Sequence, residues 1–227
     1  MIKRIKASKS EKILFIFLIV LGVSAFSSFF LLKNKCLFID NNNLKKLNFE
    51  NLDNIAVMNL ECGNVIIELY PEISQKAVER FKTLIKKKMY DGSAFYKVVE
   101  NTLVQAGDIE FGNIEYLDYS KIGSGKSGLG LLKSELNDDF EFTEGSVGFA
   151  RSTEFDSEDS EFFITLKEIP IYQGEYTPIG KVKYGLDILK KIKTGNKAIY
   201  VLRPDYINTF RMLGTNWLKA FQLKECV

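Results

Sequence analysis

The sequence predicts a mainly β protein in which one transmembrane helix precedes a closed antiparallel β-barrel capped by two helices. Short strand-like runs recur between residues 54 and 213, glycine-rich turns separate them, and only two amphipathic helical patterns interrupt them. One long uncharged segment lies ahead of these runs. The chain has 227 residues, 46% of them hydrophobic, which is enough to fill a substantial core.

The uncharged segment covers residues 13–32 and is rich in Ile, Leu, Phe and Val. As a helix it is long enough to cross a hydrocarbon core of about 30 Å. Residues 1–12 before it are basic, which predicts that the N-terminus stays in the cytoplasm. We therefore expect a single-pass membrane protein whose folded domain is extracytoplasmic, and periplasmic if the cell is Gram-negative.

A cleaved secretory signal is the alternative interpretation of this segment. Val23-Ser24-Ala25 has the small residues of a cleavage site. The apolar run continues beyond that site as far as Leu32, which favours an uncleaved anchor.

Charge and cysteine content exclude several classes of protein. The net charge is +2, but residues 1–33 hold six Lys or Arg against one Glu, so the remainder carries −3. Nucleic-acid-binding domains are usually basic, so no nucleic-acid partner is predicted. Cys36, Cys62 and Cys226 lack the paired spacing of zinc or redox sites, and their pairing stays open. Because Cys62 lies within a strand-like region, we expect it to be a small buried hydrophobe.

The folded domain is predicted to begin after a polar, Asn- and Lys-rich linker at residues 33–53. Residues 55–60 and 65–70 then form a hairpin, in which Gly63 and Asn64 are able to take positive φ. Pro71 ends the second strand.

A helix is predicted to follow, with Ser74 as its N-cap, because apolar residues recur at helical spacing. These residues are Ala77, Val78, Phe81, Leu84 and Ile85. A second helix is expected near residues 184–193. The other predicted strands are 95–99, 103–106, 146–151, 161–166, 178–182 and 206–213.

Residues 109–144 are predicted to be irregular, and residues 214–227 form a C-terminal tail outside the domain at 54–213. Trp217, Leu218, Phe221 and Leu223 recur in the tail at helical spacing. Packing of the tail on its own domain is the common outcome for such a segment. Docking on a partner, as a structural subunit, is the other interpretation.

The chain contains no histidine, which limits the chemistry that it can perform. Ser-His-Asp and Cys-His nucleophilic sites and His-ligated metal sites are excluded, and no metal or cofactor is predicted. Rotation about an X-Pro peptide bond is a reaction that needs no proton transfer. It requires an apolar pocket for the proline ring and a hydrogen-bond donor for the prolyl nitrogen.

Residues 54–213 resemble the cyclophilins in several motifs that occur in the same order. The motif that carries most of the resemblance is residues 95–108 (FYKVVENTLVQAGD). The others are residues 63–71 (GNVIIELYP), 78–81 (VERF), 90–92 (YDG), 145–151 (GSVGFAR), 160–165 (SEFFIT) and 179–182 (IGKV) with Gly185. The resemblance implies a cyclophilin-like β-barrel and peptidyl-prolyl cis-trans isomerase activity on proline-containing polypeptides.

The resemblance also implies the catalytic residues. Lys97 occupies the position of the family's catalytic arginine, and Tyr96 lies where histidine is usual. Lysine keeps the charge and a donor but lacks the planar fork of arginine. Gln105 matches the glutamine that supports the arginine, and Phe163 matches the aromatic floor of the proline pocket.

The remaining substrate-binding positions carry over with several differences. Thr102 and Leu103 replace the usual Phe-Met pair, Glu161 replaces a glutamine, and Tyr176 replaces a histidine. The substrate-binding residues implied are thus Phe163, Leu103, Thr102, Ala150, Arg151, Glu161, Ile171, Tyr172 and Tyr176.

The function expected from the resemblance is a peptidyl-prolyl isomerase that assists the folding of exported proteins at the membrane. The alternative is a catalytically weakened cyclophilin-like binding module or chaperone scaffold. The replacements at Thr102, Glu161 and Ile171 favour the alternative, whereas Gln105 and Phe163 favour the enzyme.

Overall fold

The structure is a computed structural model that describes residues 8–33, 35–36, 47, 49–195 and 200–214. The chain divides into two compact units, Met1–Phe38 and Ile39–Val227. Cys226 and the predicted tail beyond Gly214 lie outside the described residues.

The N-terminal unit contains one long helix, α1 (Lys9–Lys33). Its segment Lys9–Phe29 has a mean hydropathy of 2.2 and no buried residues, so its length and composition make it a candidate membrane span. This segment overlaps the predicted span at 13–32. The first unit also contains Cys36, which is disulfide-bonded.

The second unit is built on eight antiparallel strands in one curled sheet, with the order β3-β4-β6-β5-β7-β2-β1-β8. The strands are β1 (Ile55–Leu60), β2 (Gly63–Leu69), β3 (Lys97–Val99), β4 (Leu103–Ala106), β5 (Ser146–Phe149), β6 (Phe162–Thr165), β7 (Pro178–Tyr184) and β8 (Thr209–Met212). The mainly β class predicted from the sequence is therefore confirmed. The sheet is a half-barrel with β3 and β8 as its two edges.

The β1–β2 hairpin closes where Leu60 pairs with Gly63, which leaves Glu61 and Cys62 in a two-residue turn. Gly63 has φ +137°, whereas Asn64 does not adopt positive φ. Cys62 is only partly buried and is disulfide-bonded, so the expectation of a small buried hydrophobe is wrong.

Helix α2 (Gln75–Lys86) packs the predicted apolar residues against the sheet. The Phe81 ring lies 5.2 Å from the ring of Phe162 and 5.6 Å from that of Phe210, between ring centroids. Ser74 occupies the predicted N-cap position, but its side chain makes no capping bond. Glu135 caps this helix instead, since its carboxylate accepts from the backbone N–H groups of residues 76 and 77 at 3.3 and 2.9 Å.

The second predicted helix is much shorter than expected. Helix α3 covers only Leu186–Leu189, because Tyr184 still belongs to β7 and Gly185 adopts φ +85° immediately before the helix. Irregular turns follow it up to residue 192.

The sheet also carries a small second core on the outer face of the β1–β2 hairpin. Ile55, Val57 and Leu213 belong to it, and Leu47, Phe49 and Leu52 pack against it. The described part of the predicted linker therefore contributes apolar contacts to the folded unit.

Candidate active site

Strand register brings the two predicted catalytic residues and the predicted pocket floor into one row across the sheet. Lys97 in β3 is paired with Gln105 in β4, Gln105 with Phe163 in β6, and Phe163 with Gly148 in β5. Directly opposite residues of antiparallel strands project from the same face of a sheet. We call these four residues the outer row.

The outer row lies on the face opposite the main core. Val98, Val104 and Ile164 are each one position away from a row residue in the same strand, and all three belong to the main core cluster. Phe163 belongs instead to a separate cluster. The alternation of side chains along a strand therefore separates the candidate site from the core.

The separate cluster forms an aromatic pocket around Phe163. The centroid of the Phe163 ring lies 5.7 Å from that of Phe142, 5.3 Å from that of Tyr172 and 5.2 Å from that of Tyr176. Ala150 belongs to the same cluster. The predicted residues Phe163, Ala150, Tyr172 and Tyr176 are thus brought together.

Phe142 was missed by the sequence reasoning, since it lies in the irregular segment 109–144. Its ring and that of Phe163 come close together because position 148 is glycine. A Cβ atom there would lie 2.7 Å from Cζ of Phe163 and 2.9 Å from Cε1 of Phe142. The GF pattern at 148–149 was the available signal for this close approach.

The other predicted substrate-binding residues lie around this pocket in different ways. Leu103 is two residues before Gln105 in β4 and shares its face, and its side chain is buried. Thr102 is in the preceding turn, where its hydroxyl donates to the Glu100 carbonyl at 3.1 Å. Ile171 is 79% exposed and is not part of the aromatic cluster.

Arg151 is held against the pocket by several contacts. Its guanidinium donates to the Glu175 backbone oxygen at 3.0 Å and to the Glu175 carboxylate at 3.1 Å. It also lies over the rings of Phe155 and Tyr176, at 4.2 and 5.0 Å from the ring centroids. These contacts hold the Arg151 guanidinium in place over the Tyr176 ring.

Gln105 is bonded differently from what the resemblance implied. Its Nε2 donates to the Tyr96 hydroxyl at 2.6 Å and to Oε2 of Glu161 at 2.9 Å. The Tyr96 hydroxyl in turn donates to the same Glu161 oxygen at 2.7 Å. Lys97 is half-buried, and its ammonium makes no hydrogen bond or ion pair within the part of the chain that the structure describes.

Burial controls the acid–base properties of this hydrogen-bonded group. Removal from water raises the pKa of the Glu161 carboxyl, although the bonds from Tyr96 and Gln105 partly oppose this. Burial and the nearby Glu161 charge also raise the pKa of the Tyr96 hydroxyl well above its usual range. Tyr96 therefore stays protonated and acts as a donor.

A cavity of about 340 Å³ lies next to Glu161, whose carboxylate accepts a hydrogen bond from Gln105 of the outer row. It is lined by residues 123–126, 150–152, 157 and 159–161. Asp108 shapes one wall, because its carboxylate accepts from the backbone N–H groups of Gly123 and Gly125 at 2.7 and 3.1 Å. Arg80 and Ser127 both donate to Asp159 and fix the rest of that wall.

No group of three or more His, Cys, Asp or Glu side chains among the described residues has an arrangement that could hold a metal ion.

An aromatic pocket, a row containing a cation and an amide, and an adjoining polar cavity together make an arrangement suited to a ligand with apolar and polar parts. Comparison with known proteins identifies the family. Residues 55–211 match the family described as cyclophilin type peptidyl-prolyl cis-trans isomerase/CLD. The chain belongs to this family, and its enzyme class is peptidyl-prolyl cis-trans isomerase.

Individual relatives agree with this assignment. The chain is 37% identical over 147 residues to the "Probable peptidyl-prolyl cis-trans isomerase" of Brucella suis, which covers 64% of this chain and 74% of the relative. It is 28% identical over 148 residues to a peptidyl-prolyl cis-trans isomerase of Acinetobacter baylyi, covering 63% and 73%.

The fold is similar to that of solved cyclophilins. A Cryptosporidium parvum cyclophilin type isomerase, crystallised in the presence of the dipeptide Ala-Pro, superposes with a TM-score of 0.61 at 21% identity. The match covers 71% of this chain and 99% of that one. A cyclophilin from Hirschia baltica matches with a TM-score of 0.60 at 20% identity, covering 71% and 74%.

Proposed function

We propose that this isomerase assists the folding of exported polypeptides at a membrane, with Lys97 as the donor to the prolyl nitrogen, Gln105 as its support and Phe163 as the floor of the proline pocket. The observation that carries the proposal is the outer row, in which strand register aligns these three residues.

The reaction needs no proton transfer. The barrier to rotation about a peptide bond is about 18 to 20 kcal/mol and comes from amide resonance. A donor to the prolyl nitrogen weakens that resonance, and a water-excluding site strengthens the donor's effect. Since the Lys97 ammonium has no partner within the described residues, it is available to a bound peptide.

The aromatic pocket supplies the grip on the proline ring. Tyr172 and Tyr176 are partly exposed and offer apolar surface around the buried Phe163 ring; Leu103 is also buried, and Ala150 leaves room beside Phe163. The cavity at Arg151 accepts the residues that precede proline, while Thr102 and Ile171 contribute to the rim. These roles follow from the family resemblance together with the positions in the fold.

Two features support a location at the outer side of a membrane. The apolar helix α1 follows a basic N-terminus, which is the pattern of an anchor oriented with its N-terminus inside. Cys36 and Cys62 each take part in a disulfide bond, and disulfides are typical of oxidising compartments such as the periplasm.

A closed barrel is also part of this proposal. Outside the named strands, the backbone N–H of Phe95 donates to the Asp205 carbonyl at 2.9 Å, and that of Ile207 donates to the Ser93 carbonyl at 2.9 Å. These bonds join the segment before β3 to the segment before β8. The two edges of the sheet are thus connected beyond their regular ladders.

The test is a protease-coupled isomerisation assay on a short Ala-Pro-Phe peptide with the full-length chain in detergent. We expect Lys97→Ala to lower kcat/KM by about 100-fold, the usual cost of losing one transition-state donor. Lys97→Arg should raise turnover, because a guanidinium presents two parallel donors. Lys183→Ala, which removes another partly exposed strand lysine, is the matched control and should have no effect.

Equal activity of Lys97→Ala and the wild type would overturn the site assignment. A wild type without activity that still binds the peptide would support the second candidate function, a polypeptide-binding module. That candidate is favoured by one observation: the described hydrogen bonds of Gln105 go to Tyr96 and Glu161, and none reaches Lys97.

A further inference from the structure

Glu161, Tyr96 and Gln105 form a closed ring of three hydrogen bonds beneath the candidate site. We propose that Glu161 is a positioning residue, which fixes the Gln105 amide so that its carbonyl oxygen is presented to Lys97. The inference rests on the proposed function, since it assigns the support of Lys97 to this ring.

The hydrogen bonds of the Gln105 amide nitrogen indicate this orientation of the amide. The Gln105 amide nitrogen faces the ring, because it donates to both the Tyr96 oxygen and Oε2 of Glu161. The carbonyl oxygen of the amide is therefore the group that remains for another partner. Lys97 is the directly paired residue on the neighbouring strand.

A carboxylate at position 161 makes the orientation unique. An ionised carboxylate only accepts hydrogen bonds, so a reversed Gln105 amide would place its oxygen against an oxygen of Glu161 that has no hydrogen to donate. The family resemblance places glutamine at this position. A glutamine could rotate its own amide to match either orientation of Gln105 and would leave both available.

Two of the three members of the ring are buried from bulk water. Tyr96 is 3% exposed and Gln105 is 8% exposed. The other carboxylate oxygen of Glu161, Oε1, is buried without a hydrogen-bond partner in the described structure, which is an unfavourable arrangement. Within the described structure, the Glu161 side chain thus makes no hydrogen bond beyond the two that it accepts from Tyr96 and Gln105.

The experiment compares Glu161→Leu with Glu161→Gln in the full-length chain, by kinetics and by NMR of the Gln105 side-chain amide. In the wild type we expect slow hydrogen exchange of this amide and nuclear Overhauser effects between its protons and the Tyr96 ring. Glu161→Leu should remove both signals and lower kcat about tenfold with little change in KM. Glu161→Gln keeps an accepting oxygen and should retain activity within about threefold of wild type.

Glu158→Gln is the matched control. Glu158 is also a buried carboxylate with one oxygen that lacks a partner in the described structure, but its other oxygen accepts from Thr177 rather than from Gln105. This variant should leave kcat and the Gln105 signals unchanged. If Glu161→Leu does not fold, Tyr96→Phe removes part of the ring at nearly constant volume, and the same readouts apply.

Unchanged Gln105 signals in Glu161→Leu would overturn the proposal, and so would a variant that changes KM alone, since that result indicates a substrate contact. A wild type without isomerase activity would defeat the proposed function. The NMR comparison would then decide by itself whether Glu161 orients Gln105.

Discussion

Two parallel rows of residues cross the same four strands, and they differ in the chemistry of their side chains. The inner row is Val98, Val104, Ile164 and Val147, all buried in the main core. The outer row, one position away in each strand, is Lys97, Gln105, Phe163 and Gly148. The inner row has no polar side chain, whereas the outer row holds a cation, an amide, an aromatic ring and a glycine.

The comparison shows how one short sheet separates stability from function. Aliphatic side chains stabilise the fold mainly through burial, which needs no particular hydrogen-bond geometry. The outer row depends on specific distances, such as the bonds from Gln105 to Tyr96 and Glu161 and the close approach permitted at Gly148. Substitutions in the inner row should therefore mainly lower stability, whereas substitutions of the polar residues in the outer row should mainly lower activity.

The largest effect on stability is expected from Ile164→Ala in the inner row. Ile164 is fully buried, and its truncation should cost about 3 kcal/mol of unfolding free energy through lost burial and a residual cavity. Activity below the melting transition should stay within about twofold of wild type. Chemical denaturation and the peptide assay test this. Lys97→Ala in the outer row is the contrasting variant, which should lose activity while its free energy of unfolding changes by no more than about 0.5 kcal/mol.

An intermediate effect on both properties is expected from Gly148→Ala. The new methyl group would lie 2.7 Å from the Phe163 ring and must displace it, which should cost about 1 to 3 kcal/mol and raise KM several-fold. Denaturation and peptide kinetics measure the two effects. Adding Phe142→Leu to Gly148→Ala should restore part of the stability, because it gives the displaced ring more room. If the two substitutions change the free energy of unfolding by strictly additive amounts, the ring is not displaced.

The smallest effect concerns the charge of Glu161. Because its pKa is raised in the folded chain above the ordinary 4.5, the folded state binds a proton more readily than the unfolded state. The ionised carboxylate therefore destabilises the fold above the raised pKa, and this cost disappears as the pH falls through that pKa toward 4.5. Glu161→Gln should be more stable than wild type by about 1 kcal/mol at pH 8.

This difference should shrink as the pH falls toward 4.5. Denaturation of both proteins at a series of pH values measures it. A difference that is constant across the series would contradict the assigned pKa direction.

The family and the class of fold were predictable from the sequence because their signals are local. The apolar runs gave β1 and β4 with the bounds that the structure shows, and the apolar spacing gave helix α2. The motifs at 95–108 and 160–165 placed Gln105 and Phe163 before any contact was known. Each of these signals depends on residues within a few positions of one another.

Contacts between distant segments were not predictable in the same way. Ser74 lies at the N-cap of α2 as predicted, but a carboxylate 59 residues beyond Lys76 makes the side-chain capping bonds. The helix expected at 184–193 is short because Tyr184 pairs with β2. Phe142 entered the pocket from a segment with no regular pattern.

The sequence by itself determined the strand alternation, the apolar N-terminal segment and the residue types available to the site, because these properties depend on neighbouring residues. Only the tertiary structure decided that Gln105 bonds Tyr96 and Glu161, and that Lys97, Gln105 and Phe163 share one row. Register and burial decide such contacts, since Gln105 and Glu161, for example, lie 56 positions apart in the chain and meet only when the sheet has formed.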